Sequence, residues 1–413
     1  MLKTRAGNRG RHRTGAEPVP GRPPDDMPTD YLPGYEQARA IDPEMASRYV
    51  AHTLIGDPLA EAAVDDLAAV DRAEAARFMD LGMRGESRAL KAAPASLREF
   101  FGDAERQPEW LDHEAFAPGI RAFHRNSYII LMAFVTGVLI EGFTTNISRS
   151  FMLTGRVRDK GVRRLGQNNR HMTEIFFPGG LDRQGDGWKL SVRIRIVHAR
   201  LRRLLNDSQE WDAKAWGTPI SSAHLGFAIA AFSARLLKHT KTLGASYTEE
   251  ERKSFMDVWR YSGYLMGIPE TILFRDMQEA LQLYDIGVMC EPEPSIDSIA
   301  MAHCLINSAP LIAGTENPSA RRELARYVYR VSTGLIGKRS AESLGYPKVP
   351  VFGAVGWFRF QARLGAVLDG VIPGRRARSS FNRFGYLLAG STYDVGGIDY
   401  RLPDHVYAER TDW

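Results

Sequence analysis

The chain has 413 residues, 44% hydrophobic and 25% charged, with a formal net charge of +5. Lys3, Arg5, Arg9, Arg11 and Arg13 sum to that charge, so the remainder is near neutral and offers no basic surface for nucleic acid. The longest apolar run, Tyr128 to Ile140, falls well short of the roughly 20 residues of a membrane span. Two cysteines, Cys290 and Cys304, are too few for a disulfide framework.

Residues 1 to about 35 are Gly, Arg, Pro and Asp with almost nothing to bury, which predicts a disordered tail. No apolar run succeeds it, so it lacks the form of a secretory signal and a cytoplasmic location is expected. Residues 36–95 read as an Ala-rich helical region, and Ser96 to Phe101 as a short helix stopped by Gly102. Leu111 to Phe143 contains a buried core helix that ends at Glu141. Two helices come next, at about 146–156 and 160–176, broken by Pro178-Gly179-Gly180. The helix Leu190 to Leu205 is then expected. Thr218 starts another, with the apolar run Leu225 to Leu237 behind it. Thr248-Glu-Glu-Glu251 is a capping box opening a helix that carries Trp259 and Tyr264. Further helices are expected at 296–307, 317–335 and 351–369, and residues 386–413 form a C-terminal tail. Alternating strand patterns are scarce and no internal repeat is evident. The fold class expected is all-α.

No glycine-rich phosphate loop succeeds a strand, and neither His-Glu-x-x-His nor Gly-x-Ser-x-Gly occurs. His303 beside Cys304 lacks a second ligand pair at zinc-like spacing. The residue that stands out is His198. Counting by three and four brings Ile194, Leu201 and Leu205 onto its face, so the imidazole points inward. Arg195 and Arg202 flank it on the same side, while Arg200 and Arg203 fall on a solvated face. An imidazole between two cations suits haem, with one nitrogen for the iron and two guanidiniums for the propionates. Spacing alone fits a core histidine bonded to a backbone carbonyl as well. Burying the two arginines unpaired would cost several kcal/mol, so each needs an anion, either a propionate or a protein carboxylate.

Several segments occur in order: Thr154-Gly-Arg, Arg163-Arg-Leu, Pro178-Gly-Gly-Leu and Val192-Arg-Ile-Arg-Ile-Val-His198-Ala-Arg. After them come Trp216-Gly-Thr-Pro-Ile, Tyr247-Thr-Glu-Glu-Glu-Arg and Trp259-Arg-Tyr-Ser-Gly-Tyr-Leu-Met-Gly-Ile-Pro-Glu270. Together they resemble the haem-binding core of the rubber oxygenase (latex clearing protein) and mpaB oxygenase family, over roughly residues 110 to 280 with a weaker remainder to about 370. The resemblance implies a globin-like helical core with added N- and C-terminal helices, and a haem-binding oxygenase domain over 96–385. It makes His198 the proximal axial ligand of a b-type haem, hence the metal ligand, and Arg164 the distal arginine. Arg195 and Arg202 become residues around the haem.

Two departures stand out. Asn168, preceded by Gln167, occupies the position where rubber oxygenases commonly carry a threonine. No glutamate lies close before Thr154 to match the family's base, and the nearest candidate is Glu141, whose other reading is an exposed helix-end carboxylate. His171 is either a second axial ligand or a polar pocket histidine. His224 and His239 read as ordinary helix residues, and Trp259 and Tyr264 as core.

The activity implied is O2-dependent oxygenation, or oxidative C=C cleavage, of a small lipophilic and isoprenoid-like substrate. A haem protein that senses or carries gas and a haem-free helical scaffold are the competing readings.

Overall fold

The computed structural model describes residues 26–154, 161–312 and 314–371. Every regular element among them is a helix, as the pattern of the chain predicts. Their starts reflect local chemistry. Asp42, Asp57, Asp71 and Asp276 each cap a helix by accepting a backbone N–H of the first turn, and Pro43 and Pro58 stand at the positions where a missing N–H costs nothing. The expected capping box is present: Glu251 N–H donates to Thr248 Oγ1 at 3.1 Å and Thr248 N–H to Glu251 Oε2 at 2.9 Å.

Helix Asp186–Asn206, which carries His198, lies at the centre. It packs against Gly161–Ile175, Glu249–Leu265 and Pro58–Ala69. Helices Leu32–Arg39 and Pro43–His52 cover Met277–Cys290, and the C-terminal layer is formed by Ile296–Ile312, Pro318–Ile336 and Ala354–Val371. Ser127–Gly142 meets Glu114–Arg125 at a bend of 82°, and no single helix among the described residues is long and apolar enough to cross a membrane. Buried apolar side chains from Tyr31 to Phe358 make one large core, and Leu205 with Trp211 forms a small separate cluster.

Three expectations are corrected. Ordered chain begins before residue 35, because Tyr31 and Tyr35 are fully buried and anchor the first helices. No break separates the region before residue 95 from the helices after it, because both share the same core. Finally, Gly102 does not stop its helix, which runs Ala95–Ala104. Burial of Leu97, Phe100 and Phe101, each worth roughly 1.5–3 kcal/mol, outweighs the ~1 kcal/mol that one helical glycine costs.

The Pro178-Gly179-Gly180 break turns the chain between two antiparallel helices. Gly179 adopts φ of 71°, and a Cβ on Gly180 would lie 2.0 Å from the carbonyl oxygen of Glu174. Nothing lies within 4 Å of a Cβ on Gly102. Gly180→Ala should therefore destabilise the fold by about 1–3 kcal/mol, and Gly102→Ala should stabilise it by about 0.5–1 kcal/mol. Urea denaturation of the two variants checks both signs.

Candidate active site

The hairpin of helices Gly161–Ile175 and Asp186–Asn206 sets the frame of the site. His171 Nε2 lies 2.9 Å from Ser191 Oγ and 3.3 Å from Ser262 Oγ, so one imidazole ties together three helices. Ser191 Oγ also donates to the Gly187 carbonyl at 2.8 Å. Burial lowers the His171 pKa from 6.5 to about 4, which keeps the ring neutral. Of its two readings His171 matches the polar pocket histidine, with its Nε2 engaged by two hydroxyls.

This contact fixes the register of the hairpin. Position 164 lies seven residues before His171 and position 198 seven after Ser191 (171 minus 164, 198 minus 191), or roughly 10 Å along each antiparallel axis. Positions 164 and 198 therefore stand at the same level. One turn nearer the contact stand Gln167 and Asn168, both half-buried, opposite positions 194 and 195. His198 is half-buried, among the apolar positions Ile194, Leu201 and Leu205. The side chain of Arg164 lies outside the described residues, as do Gly155 and Arg156.

The two flanking arginines are bound to protein carboxylates. Arg195 Nε and Nη2 donate to Asp57 Oδ2 and Oδ1 at 2.6 and 3.1 Å, and its Nη1 to Asp103 Oδ2 at 2.8 Å. Burial alone would lower the Arg195 pKa, but the two aspartates raise it. Arg202, 1% exposed, donates to Glu61 Oε1 at 2.6 Å and to the Ile220 carbonyl at 3.0 Å. Of the two anions expected for them, protein carboxylates are the ones present: Asp57 and Glu61 from the start of helix Pro58–Ala69 and Asp103 from helix Ala95–Ala104. Two family-like segments serve the same clamp. A Cβ on Gly267, φ 78°, would fall 2.4 Å from both Arg195 Nε and Asp57 Oδ2. Ile220, at a φ of 46° that β-branched residues rarely adopt, is held by Arg202. Arg203 is exposed and pairs with Asp65 at 3.1 Å, whereas Arg200 is half-buried.

Glu141 is buried rather than exposed. Its carboxylate bonds Arg235 and lies 3.1 Å from His239 Nε2. Burial pushes its pKa up, but the charges and hydrogen bonds of His239 and Arg235 outweigh that and hold it at about 2. A carboxylate so committed is a poor proton acceptor near neutral pH. The partners depend on two π-helical stretches, Phe134–Val138 and Ala231–Arg235, which periodicity counting misses because it assumes 3.6 residues per turn.

His239 and His224 are therefore not ordinary helix residues. His224 Nε2 lies 3.0 Å from Tyr31 Oη and 3.3 Å from Glu291 Oε1, and Glu291 also accepts from Tyr49 Oη at 2.6 Å. Trp259 is core, packed on His171 and Phe176, while Tyr264 is half-buried against Trp110. His303 is bonded to Tyr329 and the Leu344 carbonyl. The described residues contain no group of three or more His, Cys, Asp or Glu suited to hold a metal ion. The sequence signal for the missed carboxylate was Asp57-Pro58, which announces a helix cap but not the ion pair the same side chain makes.

The comparisons with known proteins agree with one another. The family model described as "ER-bound oxygenase mpaB/B'/Rubber oxygenase, catalytic domain" matches residues 121–367. A rubber oxygenase of Streptomyces sp. (strain K30) is 25% identical over 185 residues, 43% of this chain and 44% of that protein. The matched stretch thus spans less than half of that relative. The solved structure of latex clearing protein in the closed state shares the all-α fold. Its TM-score is 0.64 at 18% identity, covering 81% of this chain and 91% of that one.

Asp57→Asn leaves Arg195 buried with one remaining, partly exposed carboxylate and should cost about 3–5 kcal/mol, whereas Asp103→Asn should cost about 1 kcal/mol. Chemical denaturation of the two variants measures the difference. His171 resists protonation only when folded, so its contribution is complete above pH 6.5 and is lost as pH falls from 6.5 to about 4. That loss amounts to roughly 3 kcal/mol. His171→Gln should flatten stability against pH in that window and leave the steeper acid limb below pH 4.5, where Glu141 titrates. An unchanged slope would refute the role given to His171.

Proposed function

The chain belongs to the mpaB/rubber oxygenase catalytic-domain family, and on that premise we propose that it is a haem-b-dependent oxygenase acting with O2 on a lipophilic, isoprenoid-like substrate. The observation that supports the reading is the His171–Ser191 contact between the two helices, from which positions 164 and 198 are each seven residues away.

His198 fits the group as the residue that would hold its iron. A b-type haem asks for one imidazole in an apolar wall, and His198 shares its helix face with Ile194, Leu201 and Leu205. The residues do not fit a propionate clamp made by Arg195 and Arg202, whose donors are committed to Asp57, Asp103 and Glu61. When bound, the haem supplies activation of O2. Everything else is the work of the chain. His198 would hold the iron. Arg164 would bring positive charge to the opposite side, where negative charge develops, with the Gln167 and Asn168 amides as further donors. Asn168 in place of threonine would keep a donor there but enlarge the polar group. Glu141 is not assigned the role of base, because its carboxylate is held ionised in its own buried cluster. The close-packed helices around His171 exclude water from the inner end of the site.

Absorption spectroscopy tests the cofactor. The purified protein, supplemented with haem, should show a Soret band that shifts with dithionite and CO. His198→Ala should lose the band. Arg164→Ala should keep it while oxygen consumption with prenyl substrates drops by about 10²–10³. A protein with no Soret band after supplementation has no haem chemistry. A Soret band without substrate-dependent oxygen consumption identifies a gas carrier or sensor instead.

A further inference from the structure

The C-terminal layer exposes apolar side chains that the core does not need. Helix Ala354–Val371 packs inward through Ala354, Phe358 and Val355; Phe358 stacks on Tyr128 at 5.9 Å, and Val355 fits the space above Gly334. Its opposite stripe, at spacings of three and four, carries Trp357 and Phe360, each 55% exposed, and Leu364, 45% exposed. Trp357 and Phe360 stack on each other at 5.7 Å in the open. Just before the helix, Phe352 is 97% exposed at a turn made by Gly353, φ 80°. That tip is braced from below: Arg330 donates to the Pro350 carbonyl at 2.7 Å and to the Phe352 carbonyl at 3.3 Å. A soluble surface rarely holds four large apolar side chains in one file.

The charge around the file is one-sided. Between Glu342 and Asp369 the chain has no carboxylate but contains Lys348, Arg359 and Arg363. Helix Pro318–Ile336 runs Arg322, Arg326 and Arg330 along one face at intervals of four, with Glu323 its single carboxylate. Arg322, Arg326 and Lys348 are exposed and form no ion pair among the described residues. Arg359 donates to the Thr242 carbonyl at 2.7 Å, so its charge too is not neutralised by a carboxylate, and the exposed Lys241 is next to that carbonyl. A row of indole and phenyl rings bordered by cations is the composition that partitions into the headgroup boundary of a negatively charged bilayer.

We propose that the face formed by Phe352, Trp357, Phe360 and Leu364 docks on the surface of an anionic lipid bilayer, with Arg322, Arg326 and Lys348 on the headgroups. A second copy of the chain is a poorer occupant. A two-fold contact through this face would set the arginine row against itself, and the projecting Phe352 suits insertion into a soft boundary rather than a flat apolar contact. The inference stands apart from the oxygenase reading and needs no haem. It places the protein beside a phase in which lipophilic molecules concentrate.

Vesicle binding by the full chain tests it, with vesicles of phosphatidylcholine alone and of phosphatidylcholine mixed with phosphatidylglycerol. The parent protein should sediment with the mixed vesicles and be released by high salt. The combined variant Phe352→Ser, Trp357→Ser, Phe360→Ser should bind at least about tenfold more weakly at unchanged helicity and melting temperature. Arg322→Glu with Arg326→Glu should weaken binding to the mixed vesicles alone. Brominated lipids locate the contact. Trp188, Trp211 and Trp259 are buried and Trp110 and Trp216 half-buried, so lipid-dependent quenching should fall in Trp357→Phe while that variant still sediments. The proposal is overturned if the parent binds neither vesicle, as it would if another part of the chain covers the face. It is equally overturned if the serine variant binds as the parent does, or if its sole effect is to convert a dimer into a monomer on size exclusion.

Discussion

Two buried guanidiniums hold this molecule in shape. Arg195 and Arg202 project from the central helix one turn to either side of His198, into positions where water cannot solvate them. An unpaired arginine there would cost several kcal/mol, so the fold must bring anions to it. It does so with Asp57, Asp103 and Glu61, drawn from the helices that precede the oxygenase core in the chain. Those helices are therefore not an appendage. Gly267 and the strained Ile220 converge on the same clamp from the other direction, one giving room to Arg195 and the other accepting from Arg202.

With the central helix clamped by ion pairs at Arg195 and Arg202, the polar seam one turn away at Ser191 can be fine and neutral. His171, Ser191 and Ser262 make a short hydrogen-bonded chain between three helices, and burial keeps the imidazole uncharged. Neutral hydrogen bonds are short-ranged and directional, so this seam sets the register of the helices it joins. The consequence for chemistry is the shared level of positions 164 and 198. Ion pairs at Arg195 and Arg202 and a hydroxyl–imidazole seam at Ser191 thus divide the labour: the first hold the helix, the second aligns it.

The remaining buried charges obey the same rule of mutual neutralisation. Glu141 is shared by Arg235 and His239, and Glu291 by Tyr49, His224 and the Asn146 amide. Each cluster joins elements distant in sequence, and in each the carboxylate is enclosed by donors. Such carboxylates stabilise packing and are unsuited to proton transfer. This separates the oxygenase family's general architecture from the particular residues that could serve a reaction in this chain.

Local chemistry was legible from the chain itself. Aspartate before proline marks helix starts, Thr248 and Glu251 cap each other, and the 3.6-residue period makes the protein all-α and turns His198 toward its apolar stripe. Ordered segments from Thr154 to Glu270 supplied the family. These are effects of neighbours within a turn or two, which sequence spacing records directly. Partner choice was not legible. The sequence required an anion for Arg195 and Arg202 but could not say which, because the carboxylates lie 92 to 141 positions away and their proximity arises from packing. Likewise, the π-helical stretches change which residues face Glu141, and only packing against a second helix stabilises that irregular turn. The sequence by itself determined which groups would need partners. The tertiary structure alone decided which partners they received, since burial makes pairing obligatory while topology determines what comes within reach.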